Sequence, residues 1–199
     1  MDDATLSAAG AHGVGRLAEG APVMDISKIA IGRNPPWDVN AIIEIPLGGE
    51  PVKYEIDKES GALFVDRFLH TAMTYPANYG FIPHTLSEDG DPCDIMVVGP
   101  TRVVPGVVIR SRPIGALLME DDKGLDEKIL AVPVDDLHPF HRGIVSYRQL
   151  PEILTEQIAH FFTHYKDLEK GKWSKVGRWA EADEATKMIV EAIERAQGK

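Results

Sequence analysis

The stretch Asp89-Gly90-Asp91-Pro92-Cys93-Asp94 runs directly into the apolar segment Ile95-Met96-Val97-Val98. Gly90 and Pro92 favour a turn, and the apolar residues that follow predict a buried strand. Two carboxylates about 4 Å apart repel each other by roughly 4 kcal/mol at an effective dielectric constant near 20. The turn is therefore either a solvated acidic loop whose side chains spread apart, or a site that binds a cation or a proton.

One kind of cation site is excluded by spacing. An EF-hand that began at Asp89 would need glycine at its sixth position and glutamate at its twelfth. Those two positions hold Asp94 and Pro100, so this turn is not a calcium loop of that class.

Composition indicates a globular protein with one domain. The 199 residues are 44% hydrophobic and 26% charged, and they suffice for a full core. No run approaches the roughly 18 apolar residues of a membrane span. The opening Met1-Asp2-Asp3 has no basic region and no long apolar segment, so no secretory signal is expected. The single cysteine, Cys93, excludes an intramolecular disulfide and fits a reducing compartment, and we expect a cytoplasmic protein.

The charge balance limits the classes of ligand. The formal net charge is −10 and the isoelectric point is about 5.1. Such a chain repels nucleic acid unless the fold conceals a basic stripe, and the sequence contains no run of Lys and Arg that could form one. It also repels an anionic phosphate substrate unless divalent cations reverse the local charge. If the substrate is a phosphate, this charge balance therefore predicts that the protein binds a divalent cation.

The chain divides into an N-terminal extension and one domain. Residues 1–23 are rich in Ala and Gly and show little apolar periodicity, so we expect them to be disordered or loosely attached. Residues 24–199 form the expected domain. Met24 opens it and is a candidate alternative start, which N-terminal mass spectrometry of natively expressed protein would test.

Several short strands are predicted after residue 39. The segments Ala41–Ile45 and Val52–Ile56 suggest a hairpin-like pair. In the second of these, Lys53, Glu55 and Asp57 alternate with apolar residues and share one face. Further strands are expected at 63–65, 95–98, 103–112, 115–119 and 129–134, with a charged connection over 120–128.

Two helices are expected at the C-terminal end. One follows Pro151, which suits a first helical position, and the other spans Glu184–Gln197 with Asp183 as a candidate N-cap. His160 and His164 are four residues apart on the first helix, but the glutamate of a zinc-protease helix is missing, which favours packing or a subunit contact over a metal site. Five or more short strands followed by helices predict a small barrel with the helices packed outside.

The acidic hexapeptide and several other segments follow the pattern of a known family. Asp89–Asp94 resembles the signature of the soluble, magnesium-dependent inorganic pyrophosphatases, which have an OB-like barrel. Five further segments are similar to the family pattern in the same order, and the similarity extends from about Ile31 to Lys199. These segments are Glu44–Pro46, Lys53–Asp57, Asp66-Arg67, Tyr75–Gly80 and His160–Trp173. The resemblance implies an α+β fold: a closed OB-like barrel of five or more antiparallel strands with two C-terminal helices outside.

The resemblance also implies a set of metal ligands and a base. Asp89, Asp94 and Asp126 would bind a first Mg²⁺, and Asp94 would bridge to a second. Asp121 and Asp126 would hold an ion that arrives with the substrate, and Glu44 would help to bind another near the leaving group. Mg²⁺ prefers such hard oxygen ligands and retains several waters. Asp91 would act as the general base for the attacking water.

The remaining site residues implied by the resemblance bind phosphate or support the site. Phosphate would be bound by Lys53, Arg67, Lys128 and Lys166, with the hydroxyls of Tyr79 and Tyr165. Glu55 and Asp122 would orient metal-bound waters, and Tyr75 would support the wall.

The sequence departs from the family pattern at two of its positions. Asp122 stands where the family often has glutamate. Cys93 stands where an aliphatic residue is usual, which favours a small buried hydrophobe over a reactive thiol.

The reaction implied is in-line hydrolysis of inorganic diphosphate to two orthophosphates without a covalent enzyme intermediate. Two alternatives remain open at this point: a similar metal site that acts on a nucleotide or another phosphoanhydride, and an OB-type nucleic-acid-binding module, which would need a basic groove with exposed aromatic residues. Bacterial members are commonly homohexamers, so an oligomer is expected.

Overall fold

The computed structural model of the protein describes residues 24–198. The expectations for the extension, residues 1–23, lie outside these described residues. The strands are β1 (Val39–Ile45), β2 (Val52–Ile56), β3 (Leu63–Phe68), β4 (Asn78–Phe81), β5 (Asp94–Val97), β6 (Val108–Asp121), β7 (Gly124–Pro133) and β8 (Ser174–Glu181). The helices are α1 (Glu152–His164) and α2 (Ala182–Ala196), with short 3₁₀ turns at Ile26–Lys28, Pro139–His141 and Tyr147–Gln149.

Five strands close into the predicted barrel. Their order is β1-β4-β5-β7-β6, and a further pairing of β6 with β1 closes the ring, while β8 pairs with the outer part of β6. One feature differs from the expectation of antiparallel strands, because β5 and β7 run parallel. This is possible because β6 lies between β5 and β7 along the chain. It returns the chain to the end of the sheet at which β5 began, so that β7 can run in the same direction as β5. The parallel register places Asp94 opposite Lys128.

The hairpin expected between Ala41–Ile45 and Val52–Ile56 is wrong. β2 pairs with β3 in a separate two-stranded sheet. The backbone groups of the link after β1 are used elsewhere: Leu47 N donates to Asn78 Oδ1 at 3.0 Å, and Gly48 N donates to the Tyr75 carbonyl at 2.8 Å. The link therefore turns away from β1 before β2 begins.

The segments 103–112 and 115–119 form one long strand instead of two. β6 runs continuously over Val108–Asp121, with a bulge between Pro113 and Gly115. A bulge is a position at which a strand accommodates proline, because one ladder hydrogen bond is already interrupted there. The charged connection is correspondingly short, since only Asp122 and Lys123 turn between β6 and β7.

The C-terminal elements follow the prediction with small shifts and one omission. Pro151 occupies the N-cap of α1 instead of the first helical position, and α2 begins at Ala182 with Glu181 at its N-cap. Asp183 therefore lies in the first turn of α2, where its negative charge interacts favourably with the positive end of the helix dipole. β8 was not predicted, because only one of its eight residues is buried and its sequence carries no apolar run.

Apolar side chains on both faces of the barrel strands are buried. Met96 and Val98 pack in a cluster with Phe161 and Phe162 of α1, whereas Ile95 and Val97 pack in a second cluster with Ile189 of α2. Burial on both faces explains why β5 reads as a continuous apolar run instead of an alternating one. Within residues 24–198, neither helix is long and apolar enough to cross a membrane.

Cys93 belongs to the second cluster and is 3% exposed, as expected for a small buried hydrophobe. Burial raises the pKa of its thiol to about 12. The alternative of an exposed, oxidisable thiol beside the acidic turn is therefore wrong for this structure, because a thiol of this kind stays protonated and inaccessible.

Candidate active site

The acidic turn is a tight backbone loop that ends at the start of β5. Ser87 N donates to the Asp91 carbonyl at 2.7 Å, and Asp91 N donates to Asp89 Oδ1 at 3.0 Å. Gly90 has a φ of +91°, a conformation that residues with a Cβ rarely adopt. The loop leaves the side chains of Asp89 and Asp91 exposed, and Asp94 half-buried at the first position of β5. All three carboxylates border one cavity.

The parallel pair β5–β7 places a buried cation between two carboxylates. Lys128 Nζ donates to both Asp94 and Asp126, and the Lys128 side chain is only 4% exposed. Burial opposes its charge, but the two carboxylates outweigh burial and raise the pKa of Lys128 well above its usual value. Burial also raises the pKa of Asp126, despite the attraction of Lys128. The lysine is therefore a permanent positive charge in the floor of the cavity.

A second lysine contacts the β6–β7 turn in the same manner. Lys166 Nζ lies 2.7 Å from Asp121 Oδ2 and 2.9 Å from Asp122 Oδ1. Burial alone would raise the pKa of Asp121, but the bond from Lys166 outweighs it and the pKa lies below its usual value. Both carboxylates are therefore ionised and attached to a lysine that comes from the segment after α1.

The β2–β3 sheet contributes cations to the opposite side. Lys53 donates to Glu55 and lies 3.4 Å from Asp66 Oδ2. Arg67 Nη1 donates to Asp66 Oδ2 at 2.8 Å, and its Nε contacts Glu169. Lys53 and Arg67 are register partners across the two strands, so their side chains reach the cavity together.

Glu44 is a buried carboxylate at the edge of the cavity. It lies near the end of β1, is 6% exposed and accepts a hydrogen bond from Ile56 N at 2.7 Å. Burial, together with the nearby charge of Asp94, raises its pKa to about 7, although the Ile56 bond acts in the opposite direction. A cation beside Glu44 would favour its ionised form.

An aromatic wall closes the base of the cavity. Tyr75 contacts Tyr79 and Phe161 at ring-centroid distances of 5.2 and 4.7 Å, and Phe161 stacks on Tyr165 at 5.3 Å. Gly80 allows β4 to approach β1, because a Cβ there would lie 1.8 Å from the Ile42 carbonyl oxygen. Burial raises the pKa of all three tyrosines, so their hydroxyls remain protonated and can donate hydrogen bonds.

Every residue that the sequence proposed for the site lines this one cavity. The fifteen are Glu44, Lys53, Glu55, Arg67, Tyr75, Tyr79, Asp89, Asp91, Asp94, Asp121, Asp122, Asp126, Lys128, Tyr165 and Lys166. The sequence analysis missed three further lining cations, Lys58, Lys123 and Lys172. Lys58 and Lys123 could have been noticed from their closeness in sequence to Lys53 and to the Asp121-Asp122 pair. His160 and His164 are not among the lining residues of this cavity.

The donor set fits hard divalent cations. Eight carboxylates and seven cationic side chains border the cavity, so it carries both ligands for a metal ion and partners for a phosphate. Within the described residues, no three acidic, histidine or cysteine side chains are grouped closely enough to chelate one ion unaided. That spacing suits Mg²⁺, which usually binds through one or two carboxylates, several waters and substrate phosphates.

A barrel whose cavity pairs carboxylates with lysines defines a class of protein: an enzyme for phosphate chemistry that works with divalent cations. Comparison with known proteins agrees. The family described as inorganic pyrophosphatase matches residues 41–197. An inorganic pyrophosphatase from Caulobacter vibrioides is 74% identical over 172 residues, which cover 86% of this chain and 97% of that protein.

Solved structures show the same likeness. A crystal structure of an inorganic pyrophosphatase from Thermus thermophilus superposes with a TM-score of 0.82 at 41% identity, covering 88% of this chain and all of the other. A structure of an inorganic pyrophosphatase from Coxiella burnetii gives 0.81 at 47% identity, covering 84% and 99% of the two chains. The chain belongs to the inorganic pyrophosphatase family, whose members use divalent metal ions.

Proposed function

We propose that this chain hydrolyses inorganic diphosphate to two orthophosphates and that Mg²⁺ is its cofactor. The single observation that carries the proposal is the convergence of all fifteen predicted residues on one cavity in a chain of this family. The mixed charge of the cavity suits a small polyanion that enters together with cations. The nucleic-acid alternative is not favoured, because the cavity cations whose partners are described above are engaged by carboxylates instead of forming a free basic groove.

The carboxylates divide into metal ligands and a base. Asp89, Asp94, Asp121, Asp126 and Glu44 are the ligands we propose for the metal ions. When bound, divalent cations supply Lewis-acid charge neutralisation and lower the pKa of a coordinated water towards neutrality. Asp91 is the proposed general base, because it lies at the exposed mouth of the cavity, where its carboxylate can accept a proton from the attacking water.

The cations stabilise the phosphates. Lys53 and Arg67 contact the anion from the β2–β3 sheet, Lys128 contacts it from β7, and Lys166 contacts it from the segment after α1. Arg67 can bind two phosphate oxygens at once, whereas each lysine acts as a point charge. The protonated hydroxyls of Tyr79 and Tyr165 add hydrogen bonds to the substrate. Attack in line with the leaving phosphate then requires no covalent enzyme intermediate.

Three residues are proposed to support this arrangement. Glu55 and Asp122 orient waters around the metal ions, and each also fixes the ammonium group of a neighbouring lysine, Lys53 and Lys166 respectively. The shorter Asp122, at a position where the family often has glutamate, still reaches Lys166. Tyr75 packs behind Tyr79 and holds the wall.

The test is phosphate release from diphosphate by the purified chain. We expect rapid release with Mg²⁺ and none with excess chelator. A panel of nucleotides and other phosphoanhydrides, assayed with the same metal, separates diphosphate hydrolysis from the alternative of a broader phosphoanhydrase. A folded, Mg²⁺-loaded protein that releases no phosphate from diphosphate would contradict the proposal.

We also propose a cytoplasmic homo-oligomer, with a hexamer expected from the family resemblance. The buried free thiol of Cys93 supports a reducing compartment. Large apolar side chains on the described surface, among them Phe64, Phe68 and Ile153, are more than half exposed and support association. Light scattering at micromolar concentration should give a multiple of the 21.9 kDa chain mass. A monomer would contradict this expectation.

A further inference from the structure

Glu169 is a buried carboxylate that does not itself line the active cavity. It lies in the segment after α1, and its side chain is 7% exposed. Its backbone is fixed by turns on both sides, since Glu169 N donates to the Lys166 carbonyl at 2.8 Å and Lys172 N donates to the Glu169 carbonyl at 3.2 Å. A buried acidic side chain is costly unless it is paired, so its partners indicate why it is there.

Those partners are two of the cavity cations. Arg67 Nε lies 3.1 Å from Glu169 Oε2 and 3.3 Å from Oε1, and Lys172 Nζ lies 3.1 Å from Oε2. Both Arg67 and Lys172 line the cavity, whereas Glu169 stands behind them. The bonds from Lys172 and Arg67 keep the pKa of Glu169 below its usual value, although burial acts in the opposite direction. The carboxylate therefore remains charged and separates two like charges.

The guanidinium of Arg67 is held from two directions. Glu169 engages Nε, and Asp66 Oδ2 engages Nη1 at 2.8 Å. Neither of these two bonds uses Nη2. A guanidinium fixed on two of its nitrogens has little rotational freedom, so binding an anion costs it little further ordering.

We propose that Glu169 is a positioning residue for diphosphate binding, which acts through Arg67 and Lys172. The inference rests on the proposed function, because it concerns the affinity for diphosphate. Glu169 keeps the two long cationic side chains extended towards the cavity and prevents their mutual repulsion from separating them. Without it, both side chains must be ordered by the substrate at each binding event. The cations contact the phosphates both before and during the reaction. Removal of Glu169 should therefore raise KM and change kcat much less.

The experiment compares diphosphate hydrolysis by wild type, Glu169→Ala and Glu169→Gln with saturating Mg²⁺. We expect Glu169→Ala to raise KM roughly tenfold, the scale set by immobilising two long side chains, with kcat within about threefold of wild type. Glu169→Gln retains an acceptor for Arg67 Nε but loses the charge, so its KM should lie between the two. It also serves as the test if the alanine variant does not fold.

Glu181→Ala is the matched control. Glu181 likewise joins an arginine, Arg148, and a second partner, Ser146, but it lies on β8 outside the cavity. Its removal should leave KM and kcat unchanged. Thermal melting of each variant reports any loss of stability separately from KM.

A double variant shows whether Glu169 acts through Arg67. Because the two residues are in contact, the KM increase of Glu169→Ala combined with Arg67→Ala should be clearly smaller than the product of the two single increases. Independent effects, or a melting-temperature change in the Glu169 variants without a KM change, would overturn the inference. If wild type itself does not hydrolyse diphosphate, the proposed function fails. If wild type is active and the Glu169 variants match it, only this inference fails.

Discussion

Asp91→Asn should lower kcat for diphosphate hydrolysis by about 10²–10⁴-fold, the range that a positioned general base contributes. The substitution keeps the shape of the side chain but removes its ability to accept a proton from the attacking water. The turn should remain intact, because it is the Asp91 carbonyl and backbone N–H that bond to Ser87 and Asp89. The thermal melting temperature should therefore match that of wild type.

Asp183→Asn provides a matched control for this prediction. Asp183 is an exposed aspartate in the first turn of α2 and does not line the active cavity. Its variant should retain wild-type kcat. A kcat within about threefold of wild type for Asp91→Asn would contradict the assignment of Asp91 as the base, because base removal in other enzymes costs far more.

Lys128→Ala should lose both activity and stability. The variant leaves Asp94 and Asp126 close together and half-buried without their shared cation. Breaking a buried pair in this way costs about 3–5 kcal/mol, and for a chain of this size each kcal/mol lowers the melting temperature by about 2–4 °C. Because we propose that Lys128 contacts the reacting phosphate, loss of its charge should lower kcat/KM by about 10²–10³-fold, as for the removal of other transition-state donors.

The stability loss of Lys128→Ala should be largest in chelator and smaller in Mg²⁺, because a divalent cation can satisfy the same two carboxylates. Melting curves in both conditions measure the difference. Arg178→Ala is the control, since Arg178 pairs with Glu184 on the surface, where a salt bridge is worth about 0–1 kcal/mol. Equal melting temperatures for Lys128→Ala and wild type in chelator would contradict the role of Lys128 as the buried counter-ion.

The parts of the fold that depend on local pattern could be predicted from the sequence. The turn at Gly90 and the buried strand after it follow from residues that are neighbours in the chain. The partner of β2 could not be predicted, because the choice between β1 and β3 depends on where the intervening backbone groups of Leu47 and Gly48 find their bonds. The parallel pairing of β5 with β7 is equally invisible, since alternation within a strand does not report the direction of its neighbour.

The candidate site shows the same division. The resemblance proposed the fifteen residues, and the fold brings them to one cavity. The resemblance did not propose Glu169. This residue contacts Arg67, which lies 102 positions away in the chain, and it does not line the cavity itself. No short motif joins two residues at that separation. A carboxylate that supports a binding residue without facing the ligand becomes visible only when burial and contact distances are known.

The pairing of Lys128 and Lys166 with four carboxylates has a thermodynamic consequence for how the cavity fills. A cation that binds Asp94, Asp126, Asp121 or Asp122 would leave a lysine without its carboxylate partner. That lysine would then bind an anion more strongly. An anion that takes a lysine leaves a carboxylate that favours a cation. We therefore expect metal and phosphate to strengthen each other's binding by the same factor, since such coupling is reciprocal. The ion pairs between these lysines and carboxylates thus predict a heterotropically cooperative binding site.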